Sequence, residues 1–240
     1  MTIVRINKYF TEQGVCSRRA ADRMIEEGRV WINGRVALLG DQVASDDVVT
    51  LDGHVVKNRP PAVYLAYHKP VGVTCTTELH VEDNIIQAVG YPGRIFPIGR
   101  LDKDSSGLVL LTNDGDIVNR ILRVEFGHER EYMVTMDRPY SETFLRCLEQ
   151  GVLVQGEKTR PCRTATVDAV TFRIMLTEGR NRQIRRMCSA LGYRVVRLAR
   201  VRILHIRVGA LPVGQWRELM PKERDKLLAK VGRTEEKAAS

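Results

Sequence analysis

The stretch Gly99-Arg100-Leu101-Asp102-Lys103-Asp104-Ser105-Ser106-Gly107-Leu108-Val109-Leu110-Leu111-Thr112 decides how this chain is read. A polar loop with a glycine at each end runs into an apolar segment that predicts a buried strand over 107–112. Such a strand is a rigid base, and the loop it carries exposes a carboxylate, Asp102. By itself the loop leaves two readings open: a catalytic carboxylate, or an Asp that caps a turn.

Around it, strand patterns fall at 63–67, 131–136, 164–170, 171–176 and 194–198, and helix patterns at 84–89, 115–122, 142–150 and 181–191. Strands and helices do not alternate regularly, so the expected class is α+β rather than doubly wound α/β. Upstream lies a smaller unit, residues 1–57. Ser17 is placed to cap a helix running to about Glu27, with Gly28 after it. Asn33-Gly34 and Asp52-Gly53 each separate two short apolar runs, the sequence signal of a tight hairpin. Lys57-Asn58-Arg59-Pro60-Pro61 reads as an extended spacer, which sets a linker at 58–62 and a larger domain at 63–222. Residues 223–240 form a charged tail, a helix leading into disorder.

The 240 residues are 43% hydrophobic and 28% charged, ordinary for a globular protein, which excludes a low-complexity or collagen-like chain. No apolar run approaches the ~20 residues of a membrane helix, and the first ten residues lack a signal peptide's apolar stretch. Five cysteines, odd in number and without metal-ligand spacing, point to reduced thiols and a cytoplasmic protein. The net charge of +9 suggests a polyanionic partner, and its distribution says more. Residues 1–57 hold eight basic and eight acidic side chains, whereas ten arginines and no acid lie between Glu178 and Glu218. Arginine's planar fork suits phosphate and stacks on bases. In Glu178-Gly179-Arg180-Asn181-Arg182-Gln183-Ile184-Arg185-Arg186-Met187, Asn181 is placed to cap a helix. Ile184, Met187, Cys188 and Leu191 then share one face, and Arg182, Arg185 and Arg186 share the other. That second face is either a phosphate-tracking surface or a source of a cation for a carboxylate. A third segment, His128-Glu129-Arg130-Glu131-Tyr132, leads into a strand in which Tyr132 is either core or site.

GRLDKDSSGLVLLTNDG, EREYMVT and LTEGRNRQIRRMCSALGYRVVRL, in that order, resemble the RsuA-type pseudouridine synthases. RINKYFTEQGVCSRRAADRMIEEGRVWINGRV resembles the S4 RNA-binding domain such enzymes carry, and HKPVGV resembles their KPxG segment. The resemblance covers roughly residues 3–220. The VCSRR, GDQV, DKDS and LPVGQW patterns place it nearest to members acting on large-subunit ribosomal RNA. It implies an S4-like domain followed by a catalytic domain with a mixed, mainly antiparallel sheet.

The resemblance also implies a reaction. A flipped uridine of RNA has its glycosidic bond broken, its base rotated and its sugar rejoined through C5, with no metal or organic cofactor. The essential carboxylate falls on Asp102, acting covalently or as a proton acceptor. The aromatic that stacks on the uracil falls on Tyr132, and the basic residue that holds the carboxylate ionised falls on Arg185. Arg100 is matched to the residue that fills the vacated stack, and Leu176 to the aliphatic under the base. Phosphate contacts are expected from Arg180, Arg182, Arg186 and Arg200. The S4 unit is expected to grip RNA through Lys8, Arg18, Arg19, Arg23, Asn33 and Arg35. The partner is ribosomal RNA, 23S by preference, with 16S or tRNA as alternatives, and the protein is expected to work as a monomer without a membrane. His68 stands where such enzymes often have Asn, and Cys75 near a usual Ser. A non-catalytic S4-type assembly factor would need neither Asp102 nor Tyr132. A fragment of an S4-bearing aminoacyl-tRNA synthetase would show a nucleotide-binding motif, which this sequence lacks.

Overall fold

A computed structural model describes residues 3–57, 60–122 and 127–232. The chain forms two compact units. The first comprises Met1–Val63 with two distant segments, Tyr91–Ile95 and Asn113–Gly115, so it is not the continuous 1–57 block expected from sequence. Two residues of the expected linker, 58 and 59, lie outside the described residues.

In this first unit, helices Ile6–Glu12 and Arg18–Glu26 bury Ile6, Phe10, Ala21 and Ile25 against Val30 and Ile32. Ser17 Oγ accepts the Ala20 amide at 3.2 Å, which caps the second helix as expected. Asn33 and Gly34 both take positive φ, 48° and 80°, as a two-residue turn between right-twisted strands requires. Asp52 and Gly53 do the same at 50° and 80°, and the two hairpins pair into a four-stranded sheet. Val4–Arg5 and Gln42–Val43 form a further ladder too short for periodicity to show.

The second unit is built on a nine-stranded sheet. Its main path runs Arg163–Thr166, Thr171–Leu176, Arg130–Met136, Val195–Ile203, Ser106–Thr112, Tyr64–Lys69, Trp216–Glu218. Only the pairing of Val195–Ile203 with Ser106–Thr112 is parallel; the others described are antiparallel. The class is therefore α+β with a mixed, mainly antiparallel sheet. One core packs helices Gly115–Leu122 and Pro221–Lys230 on Ala66, Leu108 and Leu110. The other packs Glu142–Gln150 and Gln183–Ala190 on Val134, Phe172 and Ile174.

Several boundaries differ from the sequence reading. The strand expected to end at 198 continues to Ile203, its arginines interleaved with Leu198, Val201 and Ile203. The strand expected over 164–170 stops at Thr166, because Asp168 accepts the Val170 and Thr171 amides and closes a turn. The expected domain end at 222 falls inside the last helix, whose Leu227 and Leu228 are buried with Ile117, so the core extends through that helix. Residues 233–240, the rest of the expected tail, lie outside the described residues.

The one parallel contact dictates a glycine. Gly107 has φ 113°, and a Cβ there would lie 2.2 Å from the Arg200 carbonyl oxygen. Gly34 also has positive φ but faces open space. Gly107→Ala is expected to destabilise the second unit by about 3 kcal/mol or more. Gly34→Ala is expected to cost only about 1 kcal/mol in the first. Urea unfolding of each variant measures both.

Candidate active site

A cavity of about 450 Å³ opens in the second unit where the Asp102 loop faces the ends of three strands. It gathers Asp102, Tyr132, Leu176 and Arg100, four of the five residues matched to the reaction, with Arg180, Arg182 and Arg200. Tyr132 and Leu176 reach it because alternate residues of a strand share a face. Arg130 and Leu176 are direct cross-strand partners, as are Tyr132 and Ile174.

The Asp102 loop is held from several sides. Arg200 donates from Nε to the Leu108 carbonyl at 2.7 Å and from Nη1 to the Arg100 carbonyl at 3.3 Å. It thus ties together the two ends of the loop. The Leu101 amide donates to Cys75 Sγ at 3.4 Å, and the Gly72 amide to the Lys103 carbonyl at 2.8 Å. Lys69 is fully buried, its Nζ donating to the Pro70 and Val73 carbonyls at 2.8 Å each. Burial pushes its pKa down, against the opposing pull of Cys75, Asp102 and Asp104. The KPVG segment therefore folds into a pedestal for the loop. His68 is absorbed into structure, Nδ1 lying 2.7 Å from the Leu211 carbonyl.

The second wall is the 178–183 turn. Glu178 is buried and accepts from the Arg160 amide at 2.9 Å, Gln183 Nε2 at 2.6 Å and Arg180 Nε at 3.3 Å. The helix begins at Gln183, not at 181. Its N-cap residue is Arg182, in the left-handed region with φ 52°, and makes no side-chain cap. Asn181 instead accepts from Arg186 Nη2 at 2.9 Å.

The cation paired with Asp102 is not the expected one. Arg182 Nη1 lies 3.8 Å from Asp102 Oδ2 and also forks onto Asp104 at 2.9 and 3.1 Å. Arg185, one turn into the helix, bonds the Asp104 and Val195 carbonyls and Ser105 Oγ. Its Nε is 3.3 Å from Asp104 Oδ2 without hydrogen-bond alignment. Arg185 therefore braces the loop through Asp104 and is not among the cavity's lining residues.

The arginine stretch is also less free than its sequence suggests. Arg180 pairs with Glu157 at 2.9 Å, Arg202 with Glu131 at 2.7 Å, and Arg186 with Gln155. Arg200, expected on phosphate, is 3% exposed and belongs to the interior. In the first unit, Asn33 Nδ2 donates to Asp47 at 2.7 Å, Arg35 pairs with Asp41 at 2.7 Å and Lys8 with Glu12 at 3.2 Å. Arg18, Arg19 and Arg23 are exposed. Sequence reasoning passed over Arg130, Glu178, Gln183 and Lys69. The signal for Arg130 was present: it stands two residues before Tyr132 in a strand. Among the described residues, no group of three or more His, Cys, Asp or Glu is placed to hold a metal ion, and no helix is long and apolar enough to cross a membrane.

A loop carboxylate and an aromatic side chain thus meet in a cavity rimmed by cations. Comparison with known proteins gives the class. Residues 63–190 match the RNA pseudouridylate synthase family and residues 4–49 the S4 domain. The chain is 49% identical over 224 residues to the dual-specificity RNA pseudouridine synthase RluF of Salmonella typhi, covering 92% of this chain and 78% of that one. It is 36% identical over 234 residues to the ribosomal large subunit pseudouridine synthase B of Bacillus subtilis, covering 94% and 96%. A crystal structure of a pseudouridylate synthase superposes with a TM-score of 0.68 at 31% identity, over 93% of this chain and 99% of that one. The chain belongs to the RNA pseudouridylate synthase family, and it is an enzyme of the branch that carries an S4 RNA-binding domain.

The hydrogen bond from Arg182 holds the Asp104 carboxyl below its ordinary pKa, with Arg185 adding to the effect. A carboxylate with a depressed folded-state pKa contributes stability that is complete above its unfolded value and is lost as pH falls through the folded one. Asp104→Asn should therefore melt below the wild type at pH 7, with the gap closing as pH drops below about 4. Thermal melting across that range measures it.

Proposed function

We propose that the enzyme isomerises a uridine of ribosomal RNA in the cytoplasm, with 23S RNA as substrate and Asp102 as the group that opens the glycosidic bond. The observation that carries the assignment of the site is the meeting of Asp102, Tyr132 and Leu176 in one cavity rimmed by arginine. Reaction at C1′ and C5 requires the nucleotide to leave its stack, at a cost of a few kcal/mol. Tyr132 and Leu176 provide flat and apolar walls for the extruded base, and Arg100 at the mouth fills the space it leaves. Asp102 faces the sugar and acts on C1′ directly or on the C2′ proton. Arg182 orients it, and Arg185 keeps the loop in place through Asp104. The exposed Arg18, Arg19 and Arg23 of the S4 domain supply a second grip on the RNA, which raises affinity through effective concentration.

The resemblance to a large-subunit synthase supports 23S RNA. A second reading, that the enzyme also modifies another RNA such as tRNA, is favoured by the dual specificity named for the 49%-identical relative. Pseudouridine mapping of total RNA from a deletion strain and its complement separates the two. A site lost and restored in 23S RNA supports the first, and a concurrent loss in tRNA supports the second.

Asp102→Asn should lower pseudouridine formation by ~10³-fold or more while RNA binding stays within about threefold. Retained turnover would sink the assignment. Reversing Arg182 and Arg186 to Glu should weaken binding and reduce the slope of log affinity against log salt by about one for each phosphate no longer neutralised. Binding unchanged at every salt concentration would reduce the pair to their contacts within the protein, Arg182 with Asp104 and Arg186 with Gln155 and Asn181.

A further inference from the structure

Apart from Arg100 at the exposed mouth, every charged group described around the cavity but one has a partner within the protein. Asp102 is paired with Arg182, Glu178 with Arg180 and Gln183, and Arg200 with two carbonyls. The exception is Arg130. Its side chain lines the cavity, the residue is 8% exposed, and it makes no hydrogen bond or ion pair with any described residue. Burial presses its pKa down; Tyr132 opposes that and neighbouring Arg200 adds to it. Arg200 keeps one nitrogen, Nη2, buried and unbonded. Arg130 opens on the cavity and Arg200 is buried beside it; two neighbouring guanidinium groups with no carboxylate between them repel each other unless an anion comes to them.

We propose that Arg130, with Arg200 beside it, is the seat for the negative charge of the detached uracil. The inference rests on the assignment of the cavity to the reacting nucleotide. Position favours the base over the phosphate. Arg130 is the cross-strand partner of Leu176 and lies two residues from Tyr132, the two walls between which the base would sit. The exposed cations, Arg100 and Arg182, are at the loop instead, where a backbone phosphate would pass. The chemistry fits as well. When C1′–N1 breaks, its electron pair goes to N1, and the charge spreads over N1, O2 and O4. The charge is discharged when C5 bonds to C1′, the C5 proton leaves and N1 takes up a proton. The isomerisation consumes nothing, and the anion exists only between the two steps. Donors fixed in a dry cavity act most strongly on charge that develops during reaction. The same donors suit the two carbonyls of uracil and oppose the 4-amino group of cytosine, so the seat also selects the base.

Arg130→Ala and Arg130→Lys are assayed under single turnover on total RNA from a strain lacking the gene, which contains whatever RNA the enzyme modifies. Arg130→Ala should lower the saturated rate by ~10²–10³-fold, the range for removing one such donor. The half-saturating enzyme concentration and its salt dependence should not change. Millimolar guanidinium chloride should recover at least about tenfold of the rate, and Arg130→Lys should fall between the wild type and Arg130→Ala. Because Arg130 has no partner to lose, the Ala variant should melt at or above the wild-type temperature. A saturated rate within about threefold of wild type overturns the proposal. So does a salt slope smaller by about one, which marks a phosphate contact. A lower melting temperature with a rate that guanidinium does not restore makes Arg130 structural and also overturns it. Asp102→Asn run in parallel keeps the failures apart. If it stays active, the site assignment falls; if it is dead while Arg130→Ala is normal, only the charge seat falls.

Discussion

The catalytic unit depends on the contact between Arg200 and the backbone of Gly107. The strands meet there in the one parallel pairing described for the sheet, and only a residue without Cβ fits under the Arg200 carbonyl. The closeness lets a buried side chain on one strand bond the carbonyls at both ends of the loop springing from the other. Asp102 is thus carried on a short span clamped at its roots, not on a free tip. The remaining braces, Cys75 under Leu101, the Lys69 pedestal and the Arg185–Asp104 contact, act on a loop whose ends are already fixed. Rigidity of this kind gives a carboxylate a defined position relative to a ribose, and a large part of the barrier to such reactions lies in orientation.

Charge is distributed in space differently from sequence. Ten arginines with no acid among them look like one positive face, yet the acids arrive from elsewhere in the chain. Glu131, buried in the adjoining strand, takes Arg202 at 2.7 Å and lies within 3.9 Å of Arg173 and Arg207. Glu129 takes Arg163 and Arg202. Much of the arginine run is therefore engaged within the protein, and the arginines left at the cavity rim are fewer than the sequence suggests. The S4 domain is neutral overall but leaves Arg18, Arg19 and Arg23 exposed. Net charge per segment was a poor guide to which arginines stand exposed.

This contrast marks what could be read from the residues alone. The hairpins at Asn33-Gly34 and Asp52-Gly53, the Ser17 cap and the strands at 106–112 and 171–176 are local in cause, set by turn chemistry and period-2 patterning. They were legible. The resemblance also led to the cavity, because loop, aromatic and aliphatic wall keep their order along the chain. The identity of the cation beside Asp102 was not legible. Arg182 and Arg185 are three residues apart, and which one reaches the carboxylate depends on a left-handed φ at Arg182 that starts the helix two residues late. Nor was the inward turn of Arg200, because nothing in its neighbourhood distinguishes it from Arg197 or Arg202 until the parallel strand is in place.

Arg130 shows why such residues escape a reading based on favourable contacts. In the free protein its position lowers stability: a largely buried cation beside another, with no acceptor among the described residues. A chain selected for stability alone would place an apolar residue opposite Leu176, as it does at the next cross-strand position on that face, where Tyr132 faces Ile174. The unfavourable term persists because it cancels only when negative charge appears in the cavity, and that happens during the reaction and not before. Groups that are satisfied in the resting enzyme, such as Glu178 and Arg185, hold geometry. A group left unsatisfied in a cavity is complementary to a state the resting enzyme does not contain, and a lower barrier requires that kind of complementarity.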